Sequence, residues 1–290
     1  MIPDSLQTLV DDVDGQSNAR WQDREVVVFN MAWGEMVVSL QGAQVLHFKP
    51  KGDSAAWLWV TPTPAALPDT IRGGIPLCWP WFADERYADE SPERDGPFHG
   101  LARQAPWRLD AVDEHAEGIE VHLSPNDRLH SLLTARVVIQ ANAQRLNVEL
   151  ISENIGETPV KMSGALHTYL GVAHTHQCRL EGLAGARYLD KLKDFAEAEQ
   201  QGVLAVHGPV DRIYHTNEAV ALSDGERTLR VAKQSSDSTV VWHPGDALPA
   251  DTPQEAGFRF VCVEAANTRL DPVWLVPGAQ HLLGTTLSLD

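Results

Sequence analysis

The feature that most constrains this chain is the grouping of its apolar residues. Short runs of Val, Ile, Leu and aromatic side chains are each cut off within a few residues by Gly, Pro or Asn. Over residues 145–151 the alternation is strict: Leu146, Val148 and Leu150 fall on one side, Arg145, Asn147 and Glu149 on the other. That two-residue period belongs to a half-buried strand. Segments 24–30, 35–41, 44–49, 56–60, 120–123, 160–166, 218–222, 228–232, 239–243, 259–265 and 285–289 have the same strand character. Residues 134–141 and 145–152 flank a short polar break and predict a hairpin. Helical signal is confined to residues 3–9 and 191–199. Many short strands without alternating long helices predict an all-β, mostly antiparallel sandwich or barrel and exclude a doubly wound fold. No repeat or low-complexity linker divides the chain, so residues 1–290 read as a single domain. The long charged segment 84–97, with Trp-Pro-Trp-Phe before it and Pro-Phe-His-Gly at its end, predicts a loop-built site on one face.

Composition narrows the partners. Forty acidic and 23 basic side chains leave a net charge of −17, which repels nucleic-acid backbones and anionic membranes. With 43% hydrophobic and 22% charged residues, the chain can bury a core. Neither a basic-then-apolar leader nor a membrane-length apolar run is visible. Three widely spaced cysteines, Cys78, Cys178 and Cys262, form neither a disulfide framework nor a metal knuckle, which suggests a reducing, cytoplasmic setting. Among nine tryptophans, the neighbourhood of Trp79, Trp81 and Trp107 is expected to line a pocket.

Several residues carry chemistry. Around Glu264, residues Phe260, Cys262 and Glu264 share one strand face and Val261, Val263 and Ala265 the other, which describes a central strand with a buried carboxylate. The alternative is a strand-end Glu reaching solvent or a structural Arg. His167, in an apolar run, reads as a satisfied core histidine unless it meets a partner. Glu264 is the evident one, and together they would supply an acid and a base near neutral pH. In an extended segment His174, His176 and Cys178 would form a row of metal ligands of the cupin kind. The Glu such a set needs falls near Glu181, in a strand-breaking Glu-Gly. Arg72, in Arg-Gly-Gly-Ile-Pro, opens no phosphate loop, because no helix pattern follows. With Arg94, Arg103 and the nearby His99 it would instead make a local cationic spot suited to phosphate.

The motifs occur in a telling order: Arg72-Gly-Gly-Ile-Pro-Leu-Cys-Trp-Pro-Trp-Phe, Pro97-Phe-His-Gly-Leu-Ala-Arg, Ala165-Leu-His-Thr-Tyr-Leu, Tyr188-Leu-Asp-Lys, Val210-Asp-Arg-Ile-Tyr, Val240-Val-Trp-His-Pro and Phe260-Val-Cys-Val-Glu-Ala-Ala-Asn. This series resembles the hexose-6-phosphate mutarotases (glucose-6-phosphate 1-epimerases) of the aldose 1-epimerase superfamily, over roughly residues 25–289. The resemblance implies a galactose-mutarotase-like β-supersandwich. It also implies interconversion of the α and β anomers of a hexose 6-phosphate, with no metal and no organic cofactor. By motif position His167 matches the family's general acid and Glu264 its general base. His99, Asp211, Arg72 and Arg103 match positions that line the sugar-phosphate site, with Arg94 in a variable loop as a further phosphate ligand. Trp242, or else Trp79 or Trp81, would pack on the apolar sugar face. Family members often read Trp-Asn-Pro where this chain has Trp242-His243-Pro244, which leaves the role of His243 open. The implied partner is a small sugar phosphate bound by a monomer, with no nucleic acid or membrane. Three rival readings stand beside it: an epimerase of unphosphorylated aldoses, a non-catalytic sugar-binding protein on the same fold, and a metal-dependent enzyme built on His174 and His176.

Overall fold

The computed structural model describes residues 2–83 and 96–289. Arg94 and most of segment 84–97 therefore lie outside the described residues. Among the described residues the β-rich runs pair into three substantial sheets and one small one, and every ladder between named strands is antiparallel. The expected hairpin forms from Leu133–Asn142 and Arg145–Asn154, in register from Leu133 opposite Asn154 to Ala141 opposite Leu146. In the second of these strands the buried positions alternate with the more exposed ones along its whole length, as the sequence pattern requires.

That hairpin lies within a nine-stranded sheet. Its order runs Leu204–Ala205, Arg179–Glu181, Val220–Ser223, Thr228–Gln234, Gln280–Leu289, Arg145–Asn154, Leu133–Asn142, Gly118–Pro125, Trp107–Glu114. An eight-stranded sheet runs Ala196–Glu199, Arg187–Asp190, Val210–His215, Ser238–His243, Phe260–Asn267, Gly164–Leu166, Leu77–Cys78, with Tyr169–Gly171 also on Phe260–Asn267. A four-stranded meander (Gly15–Trp21, Arg24–Met31, Gly34–Ser39, Gln44–Pro50) carries the helix Asp4–Asp11. That helix buries Leu6 and Val10 against Trp21, Val26, Val28 and Val37. Val160–Met162 and Val273–Leu275 make a two-stranded ribbon.

One continuous core joins the large sheets. It takes Val148, Leu150, Leu229 and Leu287 from the nine-stranded sheet and Val241, Val261, Val263 and Ala265 from the eight-stranded one. Strand alternation then sends Trp242, Phe260, Cys262 and Glu264 to the opposite face of the eight-stranded sheet, where Phe260 and Cys262 join Trp59 and Tyr169. The site is built on that outer face.

Three expectations need correction. Residues 56–60 are extended but form no strand, because their ladder is reduced to single bridges, Leu58 to Leu170 and Val60 to Gly73. Residues 191–199 are not helical beyond one 3₁₀ turn, Lys191–Lys193. Asp194 and Phe195 then take left-handed φ values of 52° and 58° and turn the chain into the edge strand Ala196–Glu199. Trp79, Trp81 and Trp107 belong to the interior rather than to a pocket wall. Their indole N–H groups donate to Ser152 Oγ, Pro97 O and Ala102 O respectively. A large apolar ring reads the same in a sequence whether it fills a core or lines a cleft. Among the described residues no helix is long and apolar enough to cross a membrane.

Candidate active site

Glu264 lies within the Phe260–Asn267 strand, opposite Val240, and is almost fully buried. His167 reaches it through an interruption in the neighbouring strand. Gly164–Leu166 and Tyr169–Gly171 both pair with Phe260–Asn267, with Leu166 opposite Ala265 and Tyr169 opposite Cys262. Residues 167 and 168 span the break between these ladders. The His167 N–H donates to Pro76 O at 2.9 Å, and the Val263 N–H donates to Thr168 O at 3.1 Å. The imidazole is thereby set with Nε2 3.4 Å from Glu264 Oε1. Tyr169 stacks on it at 4.9 Å, nearly parallel at 12°, which fixes the ring plane.

These two residues form part of the lining of a cavity of about 280 Å³ shared with His99, Asp211, Trp242 and Lys191. Asp211 sits opposite Trp242 in the adjacent ladder, and Lys191 approaches Asp211 Oδ2 at 3.2 Å from the 3₁₀ turn. His99 is held in a left-handed conformation, φ 67°. Its Nδ1 accepts the Ala83 N–H at 2.9 Å, which leaves Nε2 as the protonated nitrogen of the neutral ring. At the mouth, Arg72 and Arg103 border both this cavity and an adjoining one of about 410 Å³. The Arg72 guanidinium donates through Nε to Asp251 Oδ1 at 2.6 Å and through Nη1 to Tyr169 Oη at 3.4 Å. Arg103 donates through Nη2 to Phe98 O at 2.5 Å.

Four polar atoms of this cavity are buried without a partner among the described residues: His167 Nδ1, Glu264 Oε2, Asp211 Oδ1 and Arg103 Nε. Each such atom costs roughly 1–3 kcal/mol unless something else satisfies it. Concentrated in one cleft, they describe a site made for a polar ligand.

Burial sets the charges. It drives the His167 imidazole down to about 3, with the nearby Arg103 and Arg72 adding to the effect. It pushes the Glu264 carboxyl well above the usual range, Lys191 opposing and Asp211 reinforcing. The Asp211 carboxyl is also raised by burial, against the pull of Lys191. His99 is kept neutral by burial and by its proximity to His167 and Arg103. In the His167–Glu264 pair burial thus favours a neutral imidazole beside a carboxylic acid. The ionised Glu264 and protonated His167 that a base and an acid at these positions require hold the same number of protons, displaced across the 3.4 Å gap.

Of the residues singled out from the sequence, His167, Glu264, Arg72, His99, Arg103, Asp211 and Trp242 converge on this cavity. The row of His174, His176 and Cys178 does not form, because Thr175–Gln177 is a 3₁₀ turn rather than a strand. There the His176 N–H donates to His174 Nδ1 at 3.1 Å, and Cys178 is buried. His243 is a brace: its Nδ1 accepts the Gly245 N–H at 3.0 Å and its Nε2 donates to Gly257 O at 2.9 Å. The sequence pattern does not by itself single out Lys191, Tyr169 and Asp251. Lys191 closes the Tyr-Leu-Asp-Lys motif and Tyr169 follows His167 by two residues, so both had a signal; Asp251, in a loop, had none.

A family model described as aldose 1-epimerase matches residues 26–288. A protein of Salmonella typhimurium (strain LT2) named "Putative glucose-6-phosphate 1-epimerase" is 31% identical over 264 residues, covering 86% of this chain and 85% of that protein. The crystal structure of a "putative mutarotase (YeaD)" from Salmonella typhimurium is similar with a TM-score of 0.85 at 26% identity, over 96% of this chain and 95% of the other. A galactose mutarotase-like protein from Clostridium acetobutylicum shares the fold, with a TM-score of 0.74 at 11% identity over 95% and 98% of the two chains.

Proposed function

The chain belongs to the aldose 1-epimerase family, and from that premise we propose that it interconverts the α and β anomers of a hexose 6-phosphate, glucose 6-phosphate above all. The observation that carries the chemistry is the acid–base pair at the floor of the cavity, His167 Nε2 3.4 Å from Glu264 Oε1. Ring opening removes the proton from the anomeric hydroxyl and delivers one to the ring oxygen as the C1–O5 bond breaks. Glu264 as carboxylate accepts the first proton, and His167 as imidazolium donates the second. The two residues then stand as carboxylic acid and neutral imidazole, the form that burial favours. Rotation about C1–C2 presents the other carbonyl face, and closure returns both protons. The ion-pair form needed at the start is reached by one proton crossing the gap, and the hydroxyls of a bound sugar supply the hydrogen bonds it lacks.

Remote groups orient the sugar. Asp211 and the neutral His99 Nε2–H offer an acceptor and a donor for hydroxyls, and Trp242 offers an apolar face. Arg72 and Arg103 at the mouth are suited to a 6-phosphate, because a guanidinium meets two phosphate oxygens at once. Binding energy gained there, away from C1, holds the ring against the pair. The reaction needs only this small partner, and we place it in a monomer without nucleic-acid or membrane partners. Three buried, unbridged cysteines support a cytoplasmic setting.

Exchange NMR on glucose, galactose and their 6-phosphates, run side by side, tests the reading. Glucose 6-phosphate should give the highest kcat/KM, and Arg72→Ala should cost it far more than it costs glucose. Equal turnover of free and phosphorylated sugar would favour an epimerase of unphosphorylated aldoses. One observation already stands on that side: Asp251 occupies the Nε of Arg72. No turnover of any of the four would leave a sugar-binding protein.

A further inference from the structure

The proton transfers above make no use of Cys262, yet its thiol lies in the same cluster. It precedes Glu264 by two positions on the same face of one central strand, and it is fully buried. One donor atom from each of His167, Cys262 and Glu264 falls within 4.8 Å of the other two. We propose that these three residues form a site for a thiophilic divalent cation, Zn²⁺ being the fitting one, and that occupancy shuts off the acid–base pair.

Geometry, charge and access support the site. A tetrahedral zinc ion with N and O ligands at about 2.0–2.1 Å holds those ligands roughly 3.3 Å apart. His167 Nε2 and Glu264 Oε1 already stand at 3.4 Å. The thiol needs only a small approach to supply the third position. Two further atoms of the same side chains, His167 Nδ1 and Glu264 Oε2, are buried without a partner among the described residues, so no hydrogen bond within that part of the chain must be broken at them. Thiolate and carboxylate together carry two negative charges, which cancel those of the ion, and neutrality is what a buried site requires. Binding releases the thiol proton and the proton held by the His167–Glu264 pair, two in all, and leaves imidazole, thiolate and carboxylate as ligands. The sulfur ligand selects zinc over calcium or magnesium, which take oxygen. The cavity above the pair provides entry and an open fourth position.

The ion would occupy the lone pairs on Nε2 and Oε1 that exchange protons with the sugar, so it acts as an inhibitor competitive with substrate. That last step rests on the mutarotase reading; metal binding itself does not. A second convergence of donors, Asp113, Glu120 and His122, lies on the exposed face of the nine-stranded sheet and has no sulfur.

The experiment uses the whole metal-free protein. Zn²⁺ titration by calorimetry should show one tight site, and anomerisation should fall in step with occupancy and return with chelator. Co²⁺ in place of Zn²⁺ should give the near-ultraviolet charge-transfer band of a thiolate ligand. Cys262→Ala and the isosteric Cys262→Ser should keep metal-free turnover. They should lose the band and weaken Zn²⁺ by at least the roughly 10–100-fold that losing an outer partner of a metal ligand costs. Zinc inhibition of equal strength in wild type and Cys262→Ser, or a cobalt complex without the thiolate band, would overturn the proposal. A protein that binds cobalt through sulfur but turns over no sugar would instead keep the metal site and fail the mutarotase reading.

Discussion

At the scale of single residues, Glu264 ties activity to stability. Its carboxyl is raised well above 4.5 by burial. The folded protein therefore holds that proton more tightly than the unfolded chain does. The associated stability is whole below about pH 4.5 and is lost as pH rises from there through the folded value, at up to about 1.4 kcal/mol per pH unit. His167 runs the other way. Driven down to about 3 from 6.5, it contributes stability above about pH 6.5 that is lost as pH falls through the window from 6.5 to 3. Glu264→Gln removes the first effect and leaves the second. Its thermal midpoint should match or exceed wild type, with an advantage that widens from pH 4 to pH 8, while anomerisation falls about 10²–10⁴-fold. Melting curves across that range check the first part and exchange NMR the second. An advantage that narrows with pH would show that the carboxyl is solvated after all.

At the scale of elements, much of the architecture was legible because side-chain alternation is a local property. The Arg145–Asn154 strand, its hairpin with Leu133–Asn142, and the two faces of the strand bearing Glu264 follow from period two alone. Pairing across distance does not. Nothing near residues 56–60 reveals that their partners reduce to single bridges, or that Asp251 reaches Arg72 from a loop. Nor does local pattern reveal the reversal at Asp194 and Phe195, two ordinary residues in the left-handed region. The placement of His99 depends on such a turn. Gly100 beside it has φ +81°, and a Cβ there would lie 2.2 Å from Trp79 O, the acceptor for the Leu101 N–H. Gly100→Ala should cost roughly 1–3 kcal/mol of stability and, by shifting His99, lower kcat/KM as well. Denaturant titration and steady-state kinetics check both parts, and an unaffected kcat/KM would separate His99 from the turn that carries it.

At the scale of the whole molecule, a net charge of −17 surrounds a cleft whose mouth carries Arg72 and Arg103. A sugar phosphate feels the overall repulsion at long range and the guanidinium groups only at contact. Raising ionic strength from about 0.01 M to 0.1 M shortens the screening length from about 30 to 10 Å. It should therefore raise kcat/KM for glucose 6-phosphate a few-fold and leave glucose unchanged; a fall would mean that the arginines dominate the approach as well as the contact. The nine-stranded sheet has a consequence of a different kind. The strand Gln280–Leu289 is inserted between Thr228–Gln234 and Arg145–Asn154, in the interior of the strand order. A nascent chain still lacking residues 280–289 cannot close that sheet. It must carry two unpaired edges out of the ribosome, and it offers them to any other unfinished copy nearby.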